Sequence, residues 1–110
     1  MINQNEEYLK SLVKELTHLP QKTEIEWVEY KHNNGGPEEI GEYISALANS
    51  AALHGKAKAY MLWGIDALTH QIIGTNFSPR QKKIGNEELE NWLLRQLEPK
   101  VDFYFHELEV

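Results

Sequence analysis

No cysteine occurs among the 110 residues, so disulfide frameworks, thiolate metal centres and cysteine nucleophiles are excluded. A reducing cytoplasmic setting suits such a chain. No apolar run approaches the ~20 residues that a membrane span needs. Residues 1–7 are polar and acidic rather than basic and then apolar, unlike a secretory signal. Positive charge is in deficit, since 11 Lys plus Arg stand against 17 Asp plus Glu, for a formal charge of −6. That balance opposes a general electrostatic grip on phosphate, so any nucleic-acid site must be a local basic patch. Internal repeats, low-complexity tracts and linkers are missing too, and the length leaves room for one core only.

The chain does have apolar mass: 41% hydrophobic residues, with Trp27, Trp63 and Trp92 among them, enough to offset the entropy of ordering. Asn3 and Glu6 stand at capping-box spacing before Tyr8, Leu9, Leu12, Val13 and Leu16, which predicts a helix ending before Pro20. Residues 24–31, with Ile25, Trp27, Val28 and Tyr30, read as a strand stopped by the turn Asn33-Asn34-Gly35-Gly36. Pro37 with Glu38 and Glu39 opens a second helix, and Ile40, Ile44 and Leu47 form its inward stripe. The apolar run of residues 59–65 predicts a buried strand, turning at Asp66 into a partner over residues 71–74. Residues 75–85 have loop character, and Asn86 is the expected cap of a helix whose Leu89, Trp92, Leu93 and Leu97 face the core. Val101, Phe103 and Phe105 alternate with polar residues in a final strand running to Val110. These elements predict one α+β domain over residues 1–110, of order α-β-α-β-β-α-β, with a mixed sheet packed against helices. A chain that stops inside a strand pattern reads as the N-terminal fragment of a longer protein.

Several constellations are set aside on spacing. His18, His32, His54, His70 and His106 fit no metal-ligand pattern and read as ordinary surface histidines. The turn Asn33-Asn34-Gly35-Gly36 precedes a helix but lacks both the dinucleotide glycine pattern and the phosphate-loop lysine, so it reads as a plain turn. Ser45, Ser50 and Ser78 lack a nucleophile-elbow context. Glu24, Glu26 and Glu29 with Asp66 could offer oxygen ligands to a divalent cation, although solvated charges at a strand edge are the favoured reading of them. On a continuous strand Glu24 and Glu29 point to opposite faces, so they converge only if Glu24 lies before the strand or a bulge intervenes.

Three segments together carry a resemblance: Glu24-Ile25-Glu26-Trp27-Val28-Glu29-Tyr30-Lys31; Ile44-Ser45-Ala46-Leu47-Ala48-Asn49-Ser50; and Trp63-Gly64-Ile65-Asp66 returning through Ile72-Ile73-Gly74. The chain resembles the Schlafen AlbA-like domain family over roughly residues 6–106. The resemblance implies a nucleic-acid-binding module, DNA first and RNA second, within a larger bacterial regulatory or ATP-binding protein. Its phosphate contacts would fall on Lys31; on Lys56 and Lys58, in an insertion after Asn49-Ser50 that also predicts a longer helix; and on Arg80, Lys82 and Lys83. In animal Schlafen proteins the fold carries a metal-dependent endoribonuclease site, which implies Glu24, Glu29 and Asp66 as catalytic ligands of Mg²⁺ or Mn²⁺. Family hairpins show two acids in a row at that point, where this chain has Asp66 followed by Ala67, and cleavage therefore stands below binding. An alternative of another class is an interaction or oligomerisation unit, a homodimer through Tyr104 and Phe105 on the terminal strand.

Overall fold

The computed structural model describes residues 4–19, 27–33 and 36–109. Its elements are α1 (Gln4–Thr17), β1 (Val28–Lys31), α2 (Pro37–Leu53), β2 (Tyr60–Trp63), β3 (Lys83–Ile84), β4 (Glu87–Glu88) and α3 (Leu89–Gln96), an α+β domain. β1 and β2 pair in parallel, Val28 opposite Tyr60 and Lys31 opposite Trp63. Parallel neighbours need a long crossover, and α2 supplies it.

Alternation along these strands sorts side chains to two faces. Val28 and Tyr30 are buried with Leu16 of α1 and with Ile65, and Tyr60 and Leu62 pack against that cluster. On the other face Ile40 of α2 joins Leu89 and Leu93 of α3, with Trp63 packed against them. The parallel pair therefore lies between α1 on one side and α2 with α3 on the other. Pro37 begins α2, and the helix runs on to Leu53 as the insertion predicted. It closes in a Schellman arrangement: Gly55, at φ +67, donates its N–H to the Ala52 carbonyl at 3.2 Å, and Lys56 donates to Ala51 at 2.7 Å.

Four expectations meet a different outcome. The first strand is shorter than residues 24–31, and Glu24 and Glu26 lie outside the described residues. The partner over residues 71–74 contracts to a single antiparallel bridge, Ile65 to Ile72. Gly64 at φ +87 and Gly74 at φ +81 bracket that bridge, and a ladder cannot propagate through positive φ. Residues 83–88 form a small hairpin instead of loop and cap: Lys83 faces Glu88, Ile84 faces Glu87, and Gly85 at φ +64 makes the turn with Asn86. In the terminal segment Val101, Phe103 and Phe105 are half-buried and their neighbours exposed, but it joins no ladder among the described residues. Phe103 and Phe105 pack on the α2–α3 cluster, so the alternation has a core to face without a ladder.

One buried hydrogen bond ties the layers. The Tyr30 hydroxyl donates to the Leu16 carbonyl at 2.7 Å, and burial pushes the phenol up from its ordinary value. A folded pKa above the unfolded one means that this contribution is intact below pH ~10 and is lost as pH rises through the folded value. Tyr30→Phe should cost about 1 kcal/mol near neutrality and flatten the alkaline loss of stability in urea melts compared between pH 8 and 11. The flattening should be partial, because Tyr60 is also pushed up by burial.

Candidate nucleic-acid interface

Main-chain hydrogen bonds gather three segments at the carboxyl end of β1. Ile65 donates to the Lys31 carbonyl at 3.1 Å and Gly64 to His32 at 3.0 Å, while the Gly64 carbonyl accepts from Ile73 at 2.7 Å and Gly74 at 3.0 Å. The chain leaving Gly74 is then caught by Asn33, whose Oδ1 accepts from the Thr75 hydroxyl and the Asn76 N–H, each at 2.8 Å. Phe77 packs tilted against Trp63 at 4.7 Å between centroids, and the Ser78 carbonyl accepts from Gln81 and Lys82, both at 3.1 Å. The result is an open groove of about 460 Å³ lined by Asn33, Gly36, Asn76, Phe77, Ser78, Gln81 and Lys82. Gly36 directly precedes α2, so the groove lies where two parallel strands end and the crossover helix begins, the usual place for ligands in sheets of this kind.

The basic residues divide among three settings. Lys82 is half-buried in the groove wall, with Arg80 and Lys83 exposed on either side of it in the chain. Lys31 is engaged within the fold: its Nζ lies 3.6 Å from Glu29 Oε1 and 3.8 Å from Glu39 Oε1, and 4.6 Å from the centre of the Tyr43 ring. A hydrogen bond with the Tyr43 side chain, aided by both carboxylates, holds its ammonium above the usual lysine range. Lys56 sits over the Trp27 ring at 4.7 Å, and the Trp27 carbonyl accepts from Tyr60 at the start of the strand pair. Lys56, with the exposed Lys58 two residues on, thus lies by Trp27 at the amino end of β1, and Lys82 lies in the groove beyond its carboxyl end, with a strand of roughly 10 Å between the two ends. The three predicted basic clusters do not converge on one point. A second groove, of about 880 Å³, is lined in part by Glu38, Glu39 and Glu42 of α2, of which Glu39 is paired with Lys31.

Of the predicted carboxylate set, Glu24 lies outside the described residues and Glu29 is paired with Lys31. Asp66 caps its own turn: Oδ1 accepts the Leu68 N–H at 2.9 Å and the Thr69 N–H at 2.8 Å. These amides, Thr69 first, hold its carboxyl below the usual range. Among the described residues no group of three His, Asp or Glu side chains assembles that could hold Mg²⁺ or Mn²⁺.

Residues 24–110 match the family model described as Schlafen, AlbA_2. The chain belongs to this family. No curated protein and no solved structure matches it. At the level of the family, the Schlafen AlbA_2 match makes this a nucleic-acid-related domain. Two residues of the matching pattern touch directly, since a Cβ placed on Gly64 would lie 3.1 Å from the Gly74 carbonyl carbon. In this Schlafen AlbA_2 domain the returning chain at Gly74 and Thr75 therefore passes so close that a side chain at Gly64 would press on its backbone.

Sequence reasoning missed Asn33, Asn76, Ser78 and Gln81 as parts of the groove. Asn33 was visible only as a turn residue, because its partner lies 43 positions away. His70 also departs from the surface reading. It is 6% exposed at φ 61, stacks on Tyr30 at 4.1 Å, and has Nδ1 3.3 Å from the Leu19 carbonyl. Among the described residues no helix is long and apolar enough to cross a membrane.

Proposed function

We propose that this Schlafen AlbA_2 domain binds nucleic acid, DNA first, with the groove at the carboxyl end of β1 as the phosphate-contacting site. The observation that carries the reading is the meeting of Lys82 with the neutral polar residues Asn33, Asn76 and Gln81 beside the start of α2, where the Ser78 hydroxyl is already given to Glu107 at 2.8 Å. Lys82 has no carboxylate partner among the described residues, so its charge is available to a phosphate. Arg80 and Lys83 extend the contact along the loop. Lys31 acts indirectly by neutralising Glu29 and Glu39, which limits repulsion from an acidic chain. Lys56 and Lys58 form a separate contact at the other end of the strand pair. In this reading the domain is the nucleic-acid-contacting module of a larger regulatory or ATP-binding protein in the cytoplasm, a role that rests on the family resemblance. A homodimer belongs to the same reading, because doubling a weak site raises avidity without new contacts.

Titration of labelled duplex DNA, single-stranded DNA and structured RNA between 50 and 200 mM salt tests this. Affinity should fall log-linearly with salt, at a slope near −0.9 for each phosphate engaged on duplex. Replacing Lys82 and Lys83 together by Ala should weaken all sequences alike and shallow the slope by about two. Absence of binding at low salt would sink the reading. Mn²⁺-dependent RNA cleavage, abolished by Glu29→Ala, would replace it with the endoribonuclease.

A further inference from the structure

From Val101 to His106 burial alternates residue by residue, the period of an extended chain, and the two faces differ sharply. Phe103 and Phe105 meet edge to face at 5.5 Å, and Phe105 lies 6.2 Å from Trp63, which pins the inner face to the core. Asp102, Tyr104 and His106 all point outward, and Tyr104 is 80% exposed. No main-chain hydrogen bond reaches residues 101–109 from any described residue. A chain held in strand conformation by its side chains, with its N–H and C=O groups unpaired, is a template for another strand.

The outward side chains specify that strand. We infer that residues 101–107 pair with the same segment of a second copy, antiparallel, about a twofold axis through Tyr104. This register sets Asp102 opposite His106 of the second copy, Tyr104 opposite itself and Phe103 opposite Phe105, so a carboxylate meets an imidazole that can donate to it and aromatic residues stand opposite one another. Other registers lose these matches. Moving the axis half a residue, to lie between Tyr104 and Phe105, sets inward side chains against outward ones. An axis through Phe103 sets His106 opposite Lys100, and one through Phe105 sets Phe103 opposite Glu107. The side chain of Glu107 is already held by the Ser78 hydroxyl at 2.8 Å and leaves the pairing edge clear. The inference deepens the homodimer part of the proposed function and is independent of its nucleic-acid part: a monomer overturns the pairing alone, and loss of DNA binding the groove alone.

Because the chain contains no cysteine, a single introduced thiol reports the register. Residues directly opposite in an antiparallel pair have Cα atoms about 4.5–5.5 Å apart, within disulfide reach, whereas the two copies of residue 102 would stand about 14 Å apart. In the full 110-residue chain, sedimentation equilibrium should show a dimer, and mild oxidation should link Tyr104→Cys at least about tenfold faster than Asp102→Cys. Asp102→Lys should dissociate the dimer, and adding His106→Asp should restore it. All three positions are exposed, so folding should survive each change, and circular dichroism checks this. A monomeric wild type, equal crosslinking at positions 102 and 104, or failure of the charge swap to restore association would each overturn the inference.

Discussion

Gly64→Ala should destabilise the domain by about 3 kcal/mol and abolish nucleic-acid binding in the same step. Gly64 sits at φ +87, where a Cβ is strained by itself, at about 1–2 kcal/mol. The added atom would also meet the Gly74 carbonyl carbon at 3.1 Å, its Cα at 3.2 Å and the Thr75 nitrogen at 3.3 Å. All three are backbone atoms, so none can swing aside, and the segment has to move, adding about 1–3 kcal/mol. That segment leads into Thr75 and Asn76, which bond to Asn33 and close the groove. Gly55→Ala is the control, since φ is +67 but nothing lies within 4 Å of the added Cβ. Urea denaturation should show only the conformational cost there, about 1 kcal/mol, with DNA affinity unchanged. Equal costs at the two glycines would show that the return past Gly64 is looser than its distances indicate.

The contrast between α2 and the β3–β4 hairpin explains what could be read from sequence. Pro37, the acids behind it and the spacing of Ile40, Ile44 and Leu47 all act within one turn or two, and the helix begins at Pro37 as they predict. Each strand of the hairpin is only two residues long, too short to show a period. Gly85-Asn86 serves as a turn there, although Asn86 before an apolar helix reads equally well as a cap. The terminal segment separates two things that usually travel together. Alternation fixes which side chains face the core, whereas a ladder also needs a neighbouring edge, and that depends on the rest of the fold.

For the site, residue type was legible and convergence was not. Lys82 stands out as a base in a polar loop, but the groove exists because Asn33 reaches a segment 42 and 43 positions on. Lys31 shows the reverse case. Alternation places it on the same face as Glu29, yet the second carboxylate and the aromatic ring come from α2, and together they turn an expected phosphate contact into an internal ion cluster. Asp66 likewise reads as an acid at a hairpin mouth, and only the bonded amides of Leu68 and Thr69 reveal its part in shaping the turn.

Leu93→Ala should cost about 3 kcal/mol, a large share of the stability of a domain this size. Leu93 and Leu89 are fully buried, and Leu93 faces Gly41 of α2 closely enough that a Cβ there would lie 3.5 Å from its Cδ2. Truncation opens a cavity between α2 and α3, where Leu93 lies against Gly41. An eight-residue helix has little stability of its own, so α3 depends on this packing. Its release reaches the groove, because the Leu89 N–H donates to the Lys82 carbonyl at 3.0 Å and holds the basic loop in place. The cluster around Leu16, Val28, Tyr30 and Ile65 shares no residue with the one around Leu93. Hydrogen exchange should therefore show the Leu97 amide, which bonds to the Leu93 carbonyl, losing about 100-fold of its protection. The Tyr60 amide, bonded to Trp27 on the other side of the sheet, should lose far less, and DNA affinity should fall with α3. Equal losses at both amides would mean that the domain opens as one cooperative unit, and that α3 does not hold the groove on its own.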